Sequence, residues 1–285
     1  MADDLAAGFQ TVDRASDFEV FASCLTLIDS LPFFAECKRE SYDLLAARPG
    51  SIILEVGCGL GDDAAALARR VAPGGSLVAV DGSQAMVDAA RRRHSDIAGL
   101  SFDVADATQL PFVDETFDGC RIDRVLQHVP DPAAAIREMA RVLRPGGVLV
   151  AFDNDWETLT VDSADKALTR TVLNAWCDRF PSGWIGRRMV ALFLEAGLED
   201  VETHPKTLVC SDLDVADRVF SFFATADGLV DAGTIGADDV DRWKDELRAA
   251  DAAGRFFTSY TGFLVSGTRP RRDASRPTGL RGLDV

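Results

Sequence analysis

The short apolar run Ile52-Ile53-Leu54-Glu55-Val56 ends in Gly57-Cys58-Gly59-Leu60-Gly61 and opens onto an Ala/Leu/Arg segment of helical character that reaches Val71. No other feature constrains the chain as much. A strand that turns through bare backbone into a helix is the opening unit of a parallel α/β sheet, and nucleotide-type ligands bind such sheets at that turn. The alternation continues downstream. Leu77–Val80 reads as a second strand, Gln84–Arg93 as a helix, Leu100–Val104 as a third strand and Phe117–Ile122 as a fourth. Asp131–Leu143 reads as a helix with Pro132 in its first turn, where the missing N–H costs nothing. Pro145-Gly146-Gly147 then turns into a fifth strand, Val148–Phe152. Apolar runs without alternation fit strands covered on both faces.

Beyond Phe152 the rhythm weakens. Lys166–Phe180, Arg187–Ala196, Leu213–Ala226 and Ala237–Ala250 read as helices, and Val201–Cys210 and Phe256–Val265 as the last two strands. Ahead of the sheet, residues 15–47 read as two helices interrupted by Pro32. The expected fold is an α/β, Rossmann-like, doubly wound, mostly parallel seven-stranded sheet with an N-terminal helical lid and helical caps near the C-terminal strands. The expected divisions are a lid over 1–48, a ligand-binding domain over 49–267 with cap insertions at about 155–200 and 211–250, and a disordered basic tail over 268–285.

Composition closes off several classes. With 285 residues, 47% hydrophobic and 27% charged, the chain can build a large core and is neither collagen-like nor disordered. No apolar stretch approaches the ~20 residues of a spanning helix. The start, Met-Ala-Asp-Asp-Leu, lacks the basic and apolar regions of an export signal, so a cytoplasmic protein is expected. A net charge of −16 argues against nucleic acid as partner. The six cysteines have no close pairs, so reduced, mostly buried thiols are expected, with no metal site. Whether copies assemble into a homo-oligomer is left open.

The loop's chemistry discriminates further. Its spacing is G-x-G-x-G, and Asp62 stands where the dinucleotide fingerprint needs a third glycine. Asp62 and Asp63 would repel a pyrophosphate at the helix N-terminus, whereas a ligand carrying a sulfonium and an ammonium suffers no such repulsion. Asp81, ending the second strand, is placed to accept from ribose hydroxyls, and Asp106, beyond the third, from an adenine amino group.

These residues resemble the class I S-adenosylmethionine-dependent methyltransferases, in particular the ubiquinone/menaquinone-type and natural-product small-molecule branch. The likeness covers about residues 40–155. It rests on Leu54–Gly61, on Val78–Ser83 with Met86, and on Asp106 through Leu110-Pro111-Phe112. It continues in Phe117-Asp118, Val125–Pro132 and Leu143–Gly147. The resemblance implies S-adenosyl-L-methionine as cofactor and S-adenosyl-L-homocysteine as product. By it, Glu55 and the loop with Gly57, Cys58, Gly59 and Gly61 hold the methionine part, and Asp81 and Gly82, with Met86 nearby, hold the ribose. Asp106 with Ala107 meets the adenine, the backbone near Arg121 and Ile122 meets the ammonium, and Gln127-His128 faces the methyl. Two departures stand out. Many relatives have paired histidines where this chain has Gln127 first, and Asp is commoner where it has Glu55.

Methyl transfer needs an aligned acceptor and, where the acceptor has a proton to lose, a base. His128 at the sheet's ligand edge is the candidate, with Asp153 to orient or assist it; the other reading is a histidine capping the turn before Pro130. His94 and His204 read as surface residues. The substrate is expected to be a small molecule, apolar or aromatic. Phe18, Phe21, Phe33 and Phe34 are the candidate lid, Trp156, Trp176, Phe180 and Trp184 the wall, and Phe220, Phe222 and Phe223 the cap. Three aromatics within Phe220–Phe223 cannot share one helix face. Lys38 and Arg39 read as a solvated helix face, with pairing to the cofactor carboxylate as the alternative. The rival functions are an NAD-dependent oxidoreductase and a cofactor-binding cyclase or scaffold that transfers no methyl.

Overall fold

Strand β1 (Ile52–Val56) is buried at four of its five positions, as a strand covered on both faces must be. The structure is a computed structural model, which describes residue 13 and residues 18–271, Val20 by its backbone alone. β1 pairs in parallel with β2 (Ser76–Asp81) on one side and β4 (Phe117–Asp123) on the other. β3 (Leu100–Val104) extends the sheet beyond β2, and β5 (Leu143–Val161) beyond β4, both in parallel. β7 (Thr258–Thr268) runs antiparallel between β5 and β6 (Glu199–Cys210), giving the order β3-β2-β1-β4-β5-β7-β6. This is the seven-stranded, Rossmann-like sheet expected. The strand order reverses between β1 and β4, which opens a crevice at their C-terminal ends.

The helices are α1 (Phe18–Ser30), α2 (Pro32–Leu44), α3 (Asp62–Val71), α4 (Gln84–Arg93) and α5 (Pro132–Val142). After β5 come α6 (Lys166–Cys177) and α7 (Ile185–Glu195), and after β6 α8 (Leu213–Phe220), α9 (Phe222–Asp231) and α10 (Ala237–Ala252). Their starts follow local chemistry. The Asp131 carboxylate accepts from Ala134 N–H at 2.9 Å to cap α5, and Ser83 Oγ accepts from Met86 N–H at 3.2 Å to cap α4. One core, with Leu67, Val87, Val150 and Phe220, fills one side of the sheet; Leu54, Met139, Leu149 and Phe193 belong to a second. No helix among the described residues is long and apolar enough to cross a membrane.

Several boundaries differ from expectation, three of them by enough to matter. β5 continues to Val161 because Asp153, Asn154 and Asp155, polar as they look, are buried and pair with β7. The helix expected over 213–226 breaks at Ser221, which takes a left-handed φ of 49° and separates α8 from α9. β7 reaches Thr268, and Arg269 N–H donates to Gly147 carbonyl at 2.9 Å, so the fold outlasts the expected limit at 267. Apart from Asp13, residues 1–17 of the expected lid lie outside the described residues, as do residues 272–285 of the expected tail.

Candidate active site

The crevice holds a cavity of about 1030 Å³ that runs from the glycine loop to an aromatic wall. Of the residues singled out in the sequence, Glu55, Gly57, Cys58, Gly59, Gly61, Asp81, Gly82, Met86, Asp106, Ala107, Gln127, His128 and Trp156 all line it.

The loop is glycine because its backbone demands it. Gly57 has φ +73°, and a Cβ there would meet Val125 Cγ2 at 2.1 Å. Gly61 has φ +82°, and a Cβ would run into the Phe102 ring at 2.7 Å, where α3 packs on β3. Asp81 does not cap a helix. One of its oxygens accepts from Gly59 N–H at 2.8 Å and the other from Ser83 N–H at 2.9 Å, so the carboxylate is fixed beside the loop with lone pairs to spare. Burial raises its pKa, and those N–H groups work the other way. Asp106 accepts from Thr108 N–H and Oγ at 2.8 and 2.7 Å through one oxygen alone. Asp13, which sequence reasoning missed, accepts from Gln84 and Ala85 N–H at 3.0 and 3.1 Å and lines the same end.

Beneath the loop lies a charge network that no motif announced. The fully buried Arg121 guanidinium binds Glu55, Asp63 and Asp123, and donates to Ser41 Oγ at 2.7 Å. It sits 5.0 Å from the Tyr42 ring, and Tyr42 O–H donates to Asp63 at 2.7 Å. Lys38 reaches Asp29 and Asp63 at 2.7 and 2.9 Å, so it turns into the cavity rather than solvating a helix face, while Arg39 is exposed. The extra methylene of Glu55 gives its carboxyl the reach to Arg121.

Arg121 and Ile122 are both buried and do not line the cavity, which the adjacent Asp123 and Arg124 do. Around the cavity, nine carboxyl side chains face two cationic ones, Lys38 and Arg124, among the described residues. Such a site suits a cationic ligand and opposes a pyrophosphate.

Asp153 is fully buried and does not line the cavity; its oxygens accept from Gln127 N–H at 3.1 Å and Asn154 N–H at 2.9 Å, so it pins the turn that carries His128. Gln127 takes the orienting place. Its Oε1 accepts from the indole N–H of Trp156 at 2.8 Å and from Asn154 Nδ2 at 3.1 Å. An indole N–H can only donate, so the amide has one orientation, and Gln127 Nε2 donates to Arg124 carbonyl and, at 3.1 Å, to His128 Nε2. The neutral ring therefore carries its proton on Nδ1.

The aromatic expectations divide. Trp156, Trp176, Phe180 and Phe34 line the cavity, with Trp156 stacked on Phe180 at 5.1 Å and edge-on to Trp176 at 5.8 Å. Tyr260 joins them, unforeseen. Phe18 and Phe21 pack with Met86 instead, and Phe33 lies behind Phe34 and Tyr260. Trp184 is half exposed beneath the Arg187 guanidinium. Phe222 and Phe220 are both buried in the core, because the bend at Ser221 lets consecutive helices turn each inward; Phe223 packs on Trp243. His94 is mostly enclosed, 3.3 Å from Asp62.

Two buried carboxyls set a pH dependence. Burial, reinforced by Asp63 and Asp123 and opposed by Arg121, pushes Glu55 up to about 8; burial pushes Asp153 up to about 7. Both bind a proton more tightly folded than unfolded, so their contribution is full below about pH 4 and is lost as pH rises toward 8. Asp63 opposes this only at the acid end: burial would raise it, but Arg121 and Lys38 outweigh that and hold it well below the carboxylate range. Denaturant midpoints are expected to fall from pH 5 to pH 8, by at most about 1.4 kcal/mol per pH unit and group. A flat profile would contradict the assignment.

Comparison with known proteins agrees with this geometry. Residues 54–151 match the methyltransferase domain family. The chain is 41% identical over 229 residues to an uncharacterised 37.1 kDa protein in transposon TN4556 of Streptomyces fradiae, covering 80% of this chain and 65% of that protein. It is 36% identical over 124 residues to demethylmenaquinone methyltransferase of Staphylococcus aureus, covering 44% of this chain and 51% of that enzyme. The chain thus spans about half to just under two thirds of the length of these relatives. A crystal structure of a Bacillus halodurans protein assigned to the methyltransferases shares the fold at a TM-score of 0.57 and 23% identity, over 82% of this chain and 98% of that one. Residues 54–151 thus form a methyltransferase domain, set in the sheet order and on the glycine loop that the class I S-adenosylmethionine-dependent methyltransferases share.

Proposed function

We propose that the protein moves a methyl group from S-adenosylmethionine to a small apolar or aromatic metabolite by direct displacement at the sulfonium. The observation that carries this reading is the continuity of the cavity: an acid-rich, glycine-walled end opens without a partition onto an aromatic end at His128. The residues fit the cofactor. Gly57 to Gly61 leave bare backbone for its methionine part, Asp81 and Asp106 offer free lone pairs to its ribose and adenine, and the surplus of carboxylates suits its positive charge. When bound, S-adenosylmethionine supplies a methyl group already activated by the positive sulfur.

The chain's own work is then alignment, exclusion of water and handling of one proton. Phe34, Trp156, Trp176 and Phe180 enclose the acceptor and keep water from it. His128, oriented by Gln127, takes the proton at Nε2 by giving up the hydrogen bond from the Gln127 amide, and Asp153 keeps the turn in place.

Calorimetry with S-adenosylhomocysteine tests the reading. The folded protein should bind it, and Asp81→Ala should weaken binding roughly ten- to 150-fold, the equivalent of about 1.5–3 kcal/mol for bonds to a charged acceptor. Absence of both heat and thermal stabilisation with either form of the cofactor would end the proposal. Stabilisation by NAD in its place would favour an oxidoreductase, against which the nine lining carboxyls argue. Binding without release of S-adenosylhomocysteine across a panel of acceptors would favour a cyclase or scaffold.

A further inference from the structure

Three buried polar groups stand in the aromatic half of the cavity, away from the glycine loop. Trp176, Tyr260 and Asn154 line the cavity and are 3%, 1% and 3% exposed. The Trp176 indole N–H, the Tyr260 hydroxyl and Asn154 Oδ1 find no hydrogen-bond partner among the described residues. Burying a polar group without a partner is costly, and three in one cavity is a pattern that a ligand would complete. Their roles can be assigned. The indole N–H only donates. Asn154 Nδ2 donates to Gln127 Oε1, which fixes the amide so that the unpartnered atom is the oxygen, an acceptor. Burial raises the Tyr260 pKa far above its ordinary value, so the phenol keeps its proton and can donate.

The three groups surround one ring. Trp156 stands edge-on to Trp176, lies 5.2 Å from the Tyr260 ring, and follows Asn154 by two residues, on the same face of β5. The cation at this end is already matched: Arg124 binds Asp123 at 2.8 Å and approaches Asp29 at 3.6 Å.

We infer that Trp176, Tyr260 and Asn154 select the acceptor, a neutral planar aromatic molecule bearing a carbonyl-type oxygen for the two donors and a hydroxyl for the Asn154 oxygen. The inference rests on the methyl-transfer reading and narrows its substrate class. An anionic acceptor would find no uncommitted cation here, and a bare hydrocarbon would leave three buried polar atoms unsatisfied.

The test uses the full chain loaded with S-adenosylhomocysteine and follows quenching of its intrinsic tryptophan fluorescence. The probes are 1-hydroxyanthraquinone and anthracene, of equal ring count and opposite polarity. Hydroxyanthraquinone is expected to bind at least about tenfold more tightly, though an apolar pocket alone would prefer the hydrocarbon. Tyr260→Phe and Trp176→Phe should each weaken hydroxyanthraquinone roughly three- to tenfold and leave anthracene within about twofold. Equal affinity for both probes, equal loss of both in the two variants, or no binding of either would overturn the inference. Because the cofactor product is titrated first, failure at the probe stage alone sinks this inference and spares the methyltransferase reading. Failure at the cofactor stage sinks both. Thermal melts confirm that each variant is folded, and the two variants lie on separate elements, so loss of one leaves the test standing.

Discussion

Arg121→Met should destabilise the protein by about 3–5 kcal/mol, read as a drop in the denaturant midpoint at unchanged slope. Arg121 is completely enclosed, and its guanidinium is the common partner of Glu55, Asp63 and Asp123. Methionine fills similar volume without charge, so the loss reports the three carboxyls left facing one another rather than a hole. Lys38 still neutralises Asp63, and Arg124 still neutralises Asp123 at 2.8 Å, which leaves Glu55 as the uncompensated member once it ionises. Adding Glu55→Gln to Arg121→Met should therefore recover part of the loss at alkaline pH, where Glu55 carries its charge, and adding Asp63→Asn should recover less, because that change also strands Lys38 and the Tyr42 hydroxyl. A single-variant loss below about 1 kcal/mol would mean that the network is not holding the loop end of the sheet together.

His128→Ala is the second large effect, expected in turnover. Binding of S-adenosylhomocysteine should stay within a few-fold of the unmodified protein, since Asp81 and the glycine loop are untouched. Methyl transfer to an acceptor that must lose a proton should fall about 10²–10⁴-fold. The ring also packs 5.5 Å from Phe180, so part of any loss could be packing. Free imidazole separates the two roles: restoration of turnover by added imidazole, following the fraction present as neutral base, is expected of a proton acceptor and not of a packing residue. Turnover that survives the substitution would remove His128 from the reaction and leave it as the residue that closes the turn before Pro130.

Why the cofactor half was legible and the acceptor half was not follows from where their determinants lie. Gly57 to Gly61, Asp81 and Asp106 each sit at the end of a strand, so one local pattern, apolar run then turn, names both the element and its functional tip. The acceptor wall has no such rule. Phe34, Trp156, Trp176, Phe180 and Tyr260 meet from a lid helix, two strands and an inserted segment, and only packing brings them together. Aromatic content pointed to the right class of residue but could not separate Trp156, which lines the cavity, from Trp184, which faces solvent. The Arg121 network was hidden for a related reason: its side chain meets Glu55, Asp63 and Ser41, drawn from segments that only folding brings together. Asp153 stands at the end of the strand read from sequence, but β5 runs on to Val161, so the chain there carries Asn154 and Trp156 into the cavity as well.

The segments that furnish Trp176, Phe180 and Val219 are interposed after β5 and after β6, whereas the glycine loop, Asp81 and Asp106 arise upstream, between β1 and α5. A duplicated copy of such a protein can rewrite those later segments and change what its aromatic end admits while its upstream portion stays intact. β5 joins the two regions, and it is the rail along which any such remodelling has to keep its gauge.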